Sequence, residues 1–413
     1  MTSAQQSLRY EPDAAATASR PVPRLAIVTD VVAPWHSGGK ETRTWHYSQE
    51  LARSGFQVHI YTMKWWAGGL RAQQGLVHLH AICRQWPLYA GQRRSILQAV
   101  AFSFACMRLI GARFDIVEVD QIPILPLLVV KAVCLIRRKP VVATWHEVWG
   151  RGYWRSYLGP LGEVAALVEK LVLRLPDRVI AVSEGTAERI VNATKATMPV
   201  FVGRNGIDAD EIADAPVESS GTDLLFVGRL LAHKGVDVLV DAVGDLTKRG
   251  TVLSLTIVGK GPEEGTLREL AAARGLTSQI TFTGELATHA EVVGRMKSAG
   301  LLVFPTRREG FGLAAVEAMA CGTPVITTDH PDNFARLLIT PGRNGYLCRP
   351  DGADLADSIL RALAERHVLS VGARETATRY TWRNAVGHCL AAYGTDRPPP
   401  AVVRGPSQQM GRC

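Results

Sequence analysis

The sequence predicts an α/β chain built as two doubly wound domains facing a central cleft, and three observations predict it. Short apolar runs of strand length alternate with helical stretches of about 10 to 15 residues, the mark of βαβ units and parallel sheets. The alternation comes in two series, one from Leu25 and one from Asp223. Between them "NGIDADEIADAPVESSG", residues 205 to 221, is polar and turn-rich. A chain of 413 residues with 47% apolar and 21% charged content has the material for two such cores.

In chain order, the strand "LAIVTDV" leads to a helix over Glu41 to Arg53, then "QVHIYTM", a helix near Ile96 to Ile110, "FDIVEVD", a helix ending at Arg138, and "PVVATWH". "DRVIAVS" and "PVFVGRNGID" close the first series. The second runs "DLLFVGR", a helix over Val236 to Lys248, "LSLTIVG", a helix over Glu263 to Arg274, "ITFTG", a helix over Ala290 to Lys297, "GLLVFP", a further helix and "PVITTD". Residues 1–23 and 396–413 read as disordered tails, the first lacking the apolar segment of a secretion signal.

The charge is uneven. Of 47 basic and 38 acidic residues, 24 and 14 lie in residues 1 to 200, which leaves 23 and 24 for the remainder. Residues 51 to 100 carry six cations (Arg53, Lys64, Arg71, Arg84, Arg93, Arg94) and no acid, with Trp65, Trp66, Trp86 and Tyr89 among them. That segment suggests an anionic partner: a membrane surface, nucleic acid or an anionic substrate. The apolar stretches Ser95 to Met107 and Ile122 to Ile136 are too short for the roughly 17 to 25 residues of a membrane span. Seven scattered cysteines without a C-x-x-C indicate neither a disulfide framework nor a zinc site and suit a reducing, cytoplasmic compartment. His78 and His80 share a strand face but lack further ligands, so no metal is expected.

The richest stretch is "RREGFGLAAVEAMACGTPV", residues 307 to 325. It follows an apolar strand and opens a helix of small residues, so Gly310 to Gly312 form a strand-to-helix turn. Unpaired amides and the helix dipole at such a turn suit a phosphate or diphosphate, and glycines let it approach the backbone. Glu309 stands at the mouth of this turn and Glu317 along the helix. "GRLLAHKG" sets Arg229 and Lys234 just beyond the first strand of the second domain, where two cations could neutralise a diphosphate or simply lie on the surface. Gly38 and Gly39 form either a ligand-approach loop or an ordinary turn before the first helix; His146 ends a strand on the cleft side. The G-x-G of Gly259 and Gly261 lacks the rest of the dinucleotide fingerprint.

In this order and combination the motifs resemble the retaining GT-B glycosyltransferases of family four, over about residues 24 to 395. The specific part is E-x7-E, Glu309 to Glu317, with "GRLLAHKG", "VGKGP", "AVS" at 181 to 183, "NGID" at 205 to 208 and "YTWRNAV" from Tyr380 in support. The resemblance implies an acceptor-binding domain at 24–204, a linker at 205–221, a nucleotide-sugar-binding domain at 222–379 and a last helix at 380–395 crossing back to the first domain. It implies that Arg229 and Lys234 hold the diphosphate and stabilise the leaving nucleotide, helped by amides of the Gly310, Phe311, Gly312 and Leu313 turn. It assigns ribose hydroxyls to Glu317, sugar hydroxyls to Glu309, closure over the diphosphate to Gly38 and Gly39, and a sugar contact to His146. Where the family often has His-Asp, this chain has His146-Glu147.

The expected function is retaining transfer of a sugar from a UDP- or GDP-sugar to a hydroxyl of a glycan or lipid-linked acceptor, without a metal or other cofactor. A peripheral site on the cytoplasmic membrane face through residues 51–100 goes with it. The rival readings are a GT-B nucleotide-sugar epimerase and a non-catalytic two-domain binding protein. No nucleic-acid recognition motif is present.

Overall fold

The computed structural model describes residues 22–394 apart from Ser37, Gly91, Gln92 and Ala196, so the expected tails, beyond Val22 and Pro23, lie outside the described residues. The first domain comprises β1 (Arg24–Val28), α1 (Gly39–Arg53), β2 (Gln57–Met63), β3 (Arg71–Gln74), β4 (Val77–Cys83), β5 (Tyr89–Ala90) and β6 (Arg93–Arg94). It continues with α2 (Ile96–Ala105), β7 (Ile116–Asp120), α3 (Pro126–Arg137), β8 (Val141–Trp145), α4 (Gly150–Leu158), α5 (Gly162–Val172), β9 (Arg178–Ala181), α6 (Glu184–Thr194) and β10 (Val200–Val202). Its sheet runs β10-β9-β8-β7-β1-β2-β4-β3, parallel except for the antiparallel β3–β4 hairpin. Strands buried on both faces need apolar side chains at successive positions, which is why β8 and β9 carry the apolar runs "VVA" and "VIA".

A short helix, α7 (Ala209–Asp214), sits inside the expected linker, capped by Asp208 accepting from the Glu211 amide at 3.0 Å. The second domain follows: β11 (Thr222–Val227), α8 (Val236–Lys248), β12 (Leu255–Val258), α9 (Glu264–Ala273), β13 (Ile280–Gly284), α10 (His289–Ser298), β14 (Ala299–Phe304), α11 (Leu313–Cys321) and β15 (Val325–Thr328). β16 (Gly345–Cys348), α12 (Gly352–Ala364) and α13 (Arg366–Ala377) complete it before α14 (Trp382–Cys389). The sheet order β13-β12-β11-β14-β15-β16, all parallel, is the doubly wound arrangement with its switch point between β11 and β14.

Several elements differ from the sequence reading. The helix expected over Ile96 to Ile110 is α-helical only to Ala105 and tightens to 3₁₀ over Cys106–Gly111. The helix after β7 starts at Pro126, whose fixed φ and missing N–H suit a first helical turn. The hairpin strand β3, the helices α4 and α5, and β16 were not anticipated.

The last helix leaves the second domain and packs on the first. Trp382, Val386, Cys389, Leu390 and Tyr393 join Tyr47, Leu51 and Ile60 in one core cluster. Within it the buried Glu118 accepts from Tyr393 Oη at 2.6 Å and from Thr144 Oγ1 at 2.5 Å. The two chain crossings between domains lie side by side, with the Ile207 amide donating to the Tyr380 carbonyl at 2.9 Å. They approach so closely that a Cβ on Gly206 would meet the Trp382 nitrogen at 2.3 Å.

Candidate active site

In the second domain the chain leaves β14 through Pro305 and turns over Thr306–Gly312 into α11. Gly312 has φ +97, and a Cβ there would strike Ala335 Cβ at 2.6 Å, so both the turn's hand and its packing require glycine. Glu309 is pinned by its backbone: its amide donates to the Asp332 carbonyl at 3.1 Å, and its carbonyl accepts from the Phe334 amide at 2.8 Å. Its Oε2 accepts from Lys234 Nζ at 2.6 Å. Burial pushes the Glu309 carboxyl up, but Lys234 and the Phe311 amide outweigh it and hold the group below its ordinary value, as a carboxylate. Lys234 reaches this position because Gly235, at φ +69, brings its loop against Pro305; a Cβ there would lie 2.2 Å from the Pro305 oxygen.

Glu317 lies one turn into α11, almost wholly buried, with His289 Nε2 3.1 Å from its Oε1. His289 Nδ1 in turn lies 2.8 Å from Glu211 of α7. The structure therefore pairs Glu309 with Lys234 and Glu317 with His289. Arg229 is exposed and reaches across to the first domain, donating to Tyr89 Oη at 3.2 Å. Gly259 and Gly261 serve packing: a Cβ on either would lie 2.0 Å and 2.1 Å from the Gly228 and Leu230 carbonyl oxygens respectively.

His289 gives a pH-dependent test of this Glu211–His289–Glu317 arrangement. Its bonds to Glu211 and Glu317 outweigh burial and raise it from 6.5 to about 10. A folded-state pKa above the unfolded one stabilises fully below the unfolded value and is lost as pH rises through the folded value. Melting temperature should therefore fall between about pH 6.5 and 10, and His289→Gln should flatten that part of the curve. An unchanged slope in the variant would remove His289 from the linkage.

In the first domain the carboxyl ends of β1, β7 and β8, neighbours across the switch point, carry Asp30, Asp120 and His146. Lys40, in the first turn of α1, points inward between the acids, 2.6 Å from Asp30 Oδ1 and 3.8 Å from Asp120 Oδ2. Burial would lower the Lys40 ammonium, but Asp120 and Asp30 hold it above its ordinary value. Burial likewise opposes ionisation of Asp120, yet Lys40 and His146 bring it down to about 2. His146 Nε2 lies 3.4 Å from Asp120 Oδ1. Gly38 and Gly39 open α1 directly above this cluster, and a Cβ on Gly39 would meet nothing within 4 Å.

The two halves meet at a seam. A Cβ on Gly310 would lie 2.3 Å from the His146 carbonyl oxygen, so this glycine permits the domains' backbones to touch. Beside it Arg308 donates to Glu147 at 2.5 Å and lies over the Tyr153 ring at 3.6 Å. Glu147, standing where the family often has Asp, is thus an interdomain anchor. Arg189 and Asp332 form a second bridge between the domains.

The sequence reading missed Asp30, Lys40, Asp120, Arg308 and His289. Two of these were signalled: "VTD" and "EVD" both end a strand with an acid, where doubly wound sheets bind ligands. The cations of residues 51–100 divide: Arg53, Arg71 and Arg84 are exposed, whereas Arg94 is only partly so. Arg94 turns inward to Asp30 at 2.9 Å, Arg53 pairs with Glu50, and Lys64 and Arg84 lie over Trp66 and Trp86. Trp65 donates its Nε1 to the Asp30 carbonyl at 2.9 Å. Trp65, Trp86 and Tyr89 line a cavity of about 600 Å³. His59, His78 and His80 stack together, but among the described residues no group of three or more His, Cys, Asp or Glu side chains is placed to hold a metal ion.

The Glu309 and Glu317 pairs make different kinetic effects the expected result. Glu317→Gln should raise the donor KM about tenfold, whereas Glu309→Gln should lower kcat about tenfold with less change in KM, because sugar orientation matters most as the glycosidic bond breaks. Matching profiles for the two variants in steady-state assays would count against separate roles.

Comparison with known proteins places both halves. Residues 37–211 match the family described as Glycosyltransferase Family 4, and residues 208–380 match Glycosyl transferases group 1. The chain is 32% identical over 299 residues to the phosphatidyl-myo-inositol mannosyltransferase of Mycobacterium leprae, covering 70% of this chain and 75% of that one. It is 32% identical over 236 residues to the GDP-mannose:cellobiosyl-diphosphopolyprenol alpha-mannosyltransferase of Xanthomonas campestris, covering 54% of this chain and 61% of that one. With the D-inositol 3-phosphate glycosyltransferase of Geodermatophilus obscurus the match spans 54% of the relative, so it covers little more than half the length of some of these proteins. The sucrose-phosphate synthase of Thermosynechococcus elongatus superposes with TM-score 0.72 at 21% identity, over 90% of this chain and 98% of that one. With both halves matched and the doubly wound domains closed on one seam, this chain belongs to the group 1 glycosyl transferases of family four and has their GT-B fold.

Proposed function

We propose that this protein transfers a sugar, with retention of anomeric configuration, from a UDP- or GDP-sugar to a hydroxyl of a glycan or lipid-linked acceptor in cell-surface polysaccharide or glycolipid synthesis. The observation that carries it is the Lys234–Glu309 pair at the mouth of the Gly310–Gly312 turn, set against His146 across the seam. The turn offers amides and a helix dipole to a diphosphate, Lys234 adds a fixed cation, and Arg229 can swing in from its exposed position. As the anomeric carbon–oxygen bond breaks, its electron pair passes to the diphosphate, whose growing charge these groups stabilise. The acceptor oxygen forms the new bond on the same face and gives its proton to the departing phosphate oxygen. Glu309, ionised beside Lys234, accepts hydrogen bonds from sugar hydroxyls and is not a nucleophile. Glu317 accepts from the ribose hydroxyls, and no divalent cation takes part in this scheme.

A thermal-shift screen of UDP-, GDP- and ADP-sugars identifies the donor, because a ligand that binds only the folded state raises its stability. With that donor, acceptor-dependent release of the nucleoside diphosphate and a product whose anomeric proton coupling matches the donor's are expected. Conversion of the donor alone into an epimer would overturn the transferase reading.

A further inference from the structure

The inner sides of α2, α3 and α5 lie in one core cluster beneath β7, β8 and β9: Phe102 and Leu109, Val130 and Cys134, Val172 and Leu173 all belong to it. Their outer sides therefore face away together, and those outer sides are apolar. On α2, Leu97 and Phe104 share a face, which Met107 and Ile110 extend along the 3₁₀ turn. On α5, Val164, Leu167 and Leu171 repeat at helical spacing, opposite the buried Glu169 and Val172. Leu135 and Ile136 end α3 beside Met107 and Ile110, since Arg137 donates to the carbonyls of Leu109, Ile110 and Ala112 at 3.1, 2.7 and 2.6 Å. Exposure of these aliphatic side chains runs from 53% at Ile110 to 71% at Ile136. A soluble surface rarely gathers so many large apolar side chains on one side.

The surrounding net charge is positive. No Asp or Glu occurs between residues 51 and 114, or between 121 and 146. Arg113, Arg138, Lys170 and Arg174 are exposed around the apolar surface. The nearby acids are matched: Asp115 with Lys139, Asp177 with Lys131, Glu163 with Arg151 and Arg155. A second copy of this chain, meeting the face symmetrically, would set cations against cations. An anionic lipid surface satisfies both features at once, aliphatic side chains among the acyl chains and cations among the headgroups.

We propose that the outer face of α2, α3 and α5 docks the protein on an anionic bilayer. The surface starts at the cleft: Ser95, the cap of α2, donates its amide to the Leu88 carbonyl at 2.9 Å, and the Arg94 amide donates to Tyr157 Oη at 2.9 Å. Leu88 lines, with Trp65, Trp86 and Tyr89, a cavity of about 600 Å³. Docking thus sets the cavity mouth at the membrane, where the glycan of a lipid-linked acceptor enters while its lipid stays in the bilayer. This acceptor assignment rests on the transferase reading; the docking itself is measured without turnover.

The test is co-sedimentation of the full chain with phosphatidylglycerol-containing vesicles and with pure phosphatidylcholine vesicles, at low and high salt. The wild type should bind the anionic vesicles and be released by salt. Phe104→Glu and Leu167→Glu should each weaken partition at least about tenfold, while Val252→Glu, an exposed apolar residue of the other domain, should not. All three variants should keep the wild-type thermal shift with the nucleotide-sugar, which shows that they fold. No binding to anionic vesicles, or equal loss with Val252→Glu, overturns the proposal. So does a wild-type dimer by light scattering that Phe104→Glu dissociates, for then a second copy covers the face. A wild type that binds vesicles but no nucleotide-sugar leaves the docking intact and overturns the transferase reading instead.

Discussion

Lys234→Ala should lower kcat/KM about 100-fold, or about 2.7 kcal/mol, the loss typical when one preorganised donor to a developing negative charge is removed. The side chain does two things at once. It supplies a fixed cation beside the Gly310–Gly312 turn, and at 2.6 Å it keeps Glu309 ionised. Removing it therefore also lets the Glu309 carboxyl rise toward and past its ordinary value, since burial is then unopposed by its main counter-charge. The residual activity should fall off at a higher pH on the acid side than that of the wild type. Steady-state kinetics across pH check both parts, and a loss below about threefold would place Lys234 outside the diphosphate site.

The second large effect is steric. Gly310→Ala adds one methyl group whose carbon would sit 2.3 Å from the His146 carbonyl oxygen, a distance no side chain can hold. Two backbones meet there, so no flexible side chain can yield. The domains must part instead, and they can, because the seam is a contact between separate cores. We expect a melting temperature close to wild type and kcat/KM reduced about 100-fold, since a displacement of about 1 Å between donor and acceptor sites costs that much. Gly265→Ala, in α9 away from the seam, serves as the control, because its Cβ would meet nothing within 4 Å. Full activity in Gly310→Ala would mean that catalysis does not need this seam closed.

What could be read from the chain alone was what depends on neighbouring residues. Parallel strands buried on both faces show as unbroken apolar runs, so "GLLVFP" and "PVITTD" were plain. The Glu309 turn was legible because a strand, two glycines and a helix follow one another directly. β3, reading "RAQQ", was not: it pairs only with β4 at the sheet edge and has no apolar alternation to show. α4, "GRGYWRSYL", buries no residue fully; it is held by ring contacts such as Trp149–Tyr153 at 4.4 Å, which leave no burial period in the sequence. Arg307 and Arg308 are indistinguishable as letters, yet one lies at the surface near Asp237 and the other is buried against Glu147 and Tyr153. The aromatic-basic segment was only partly legible for the same reason. Whether Arg94 faces solvent or Asp30 depends on a partner 64 positions away.

The return of α14 to the first domain has a consequence for how the chain is made. Domains generally fold in the order in which they leave the ribosome. Here the domain synthesised first lacks Trp382, Val386 and Tyr393 until the whole second domain has been made. Until then α1 alone covers part of one side of its sheet, and the rest stays open. Glu118 waits 275 residues for the Tyr393 hydroxyl, and a buried acceptor without its donor costs about 1–3 kcal/mol. Translation that stalls or terminates shortly before residue 382 would thus spare the nearby second core and leave the distant, earlier one incomplete. The N-terminal half, open on that side, would then be the part that chaperones hold and proteases cut.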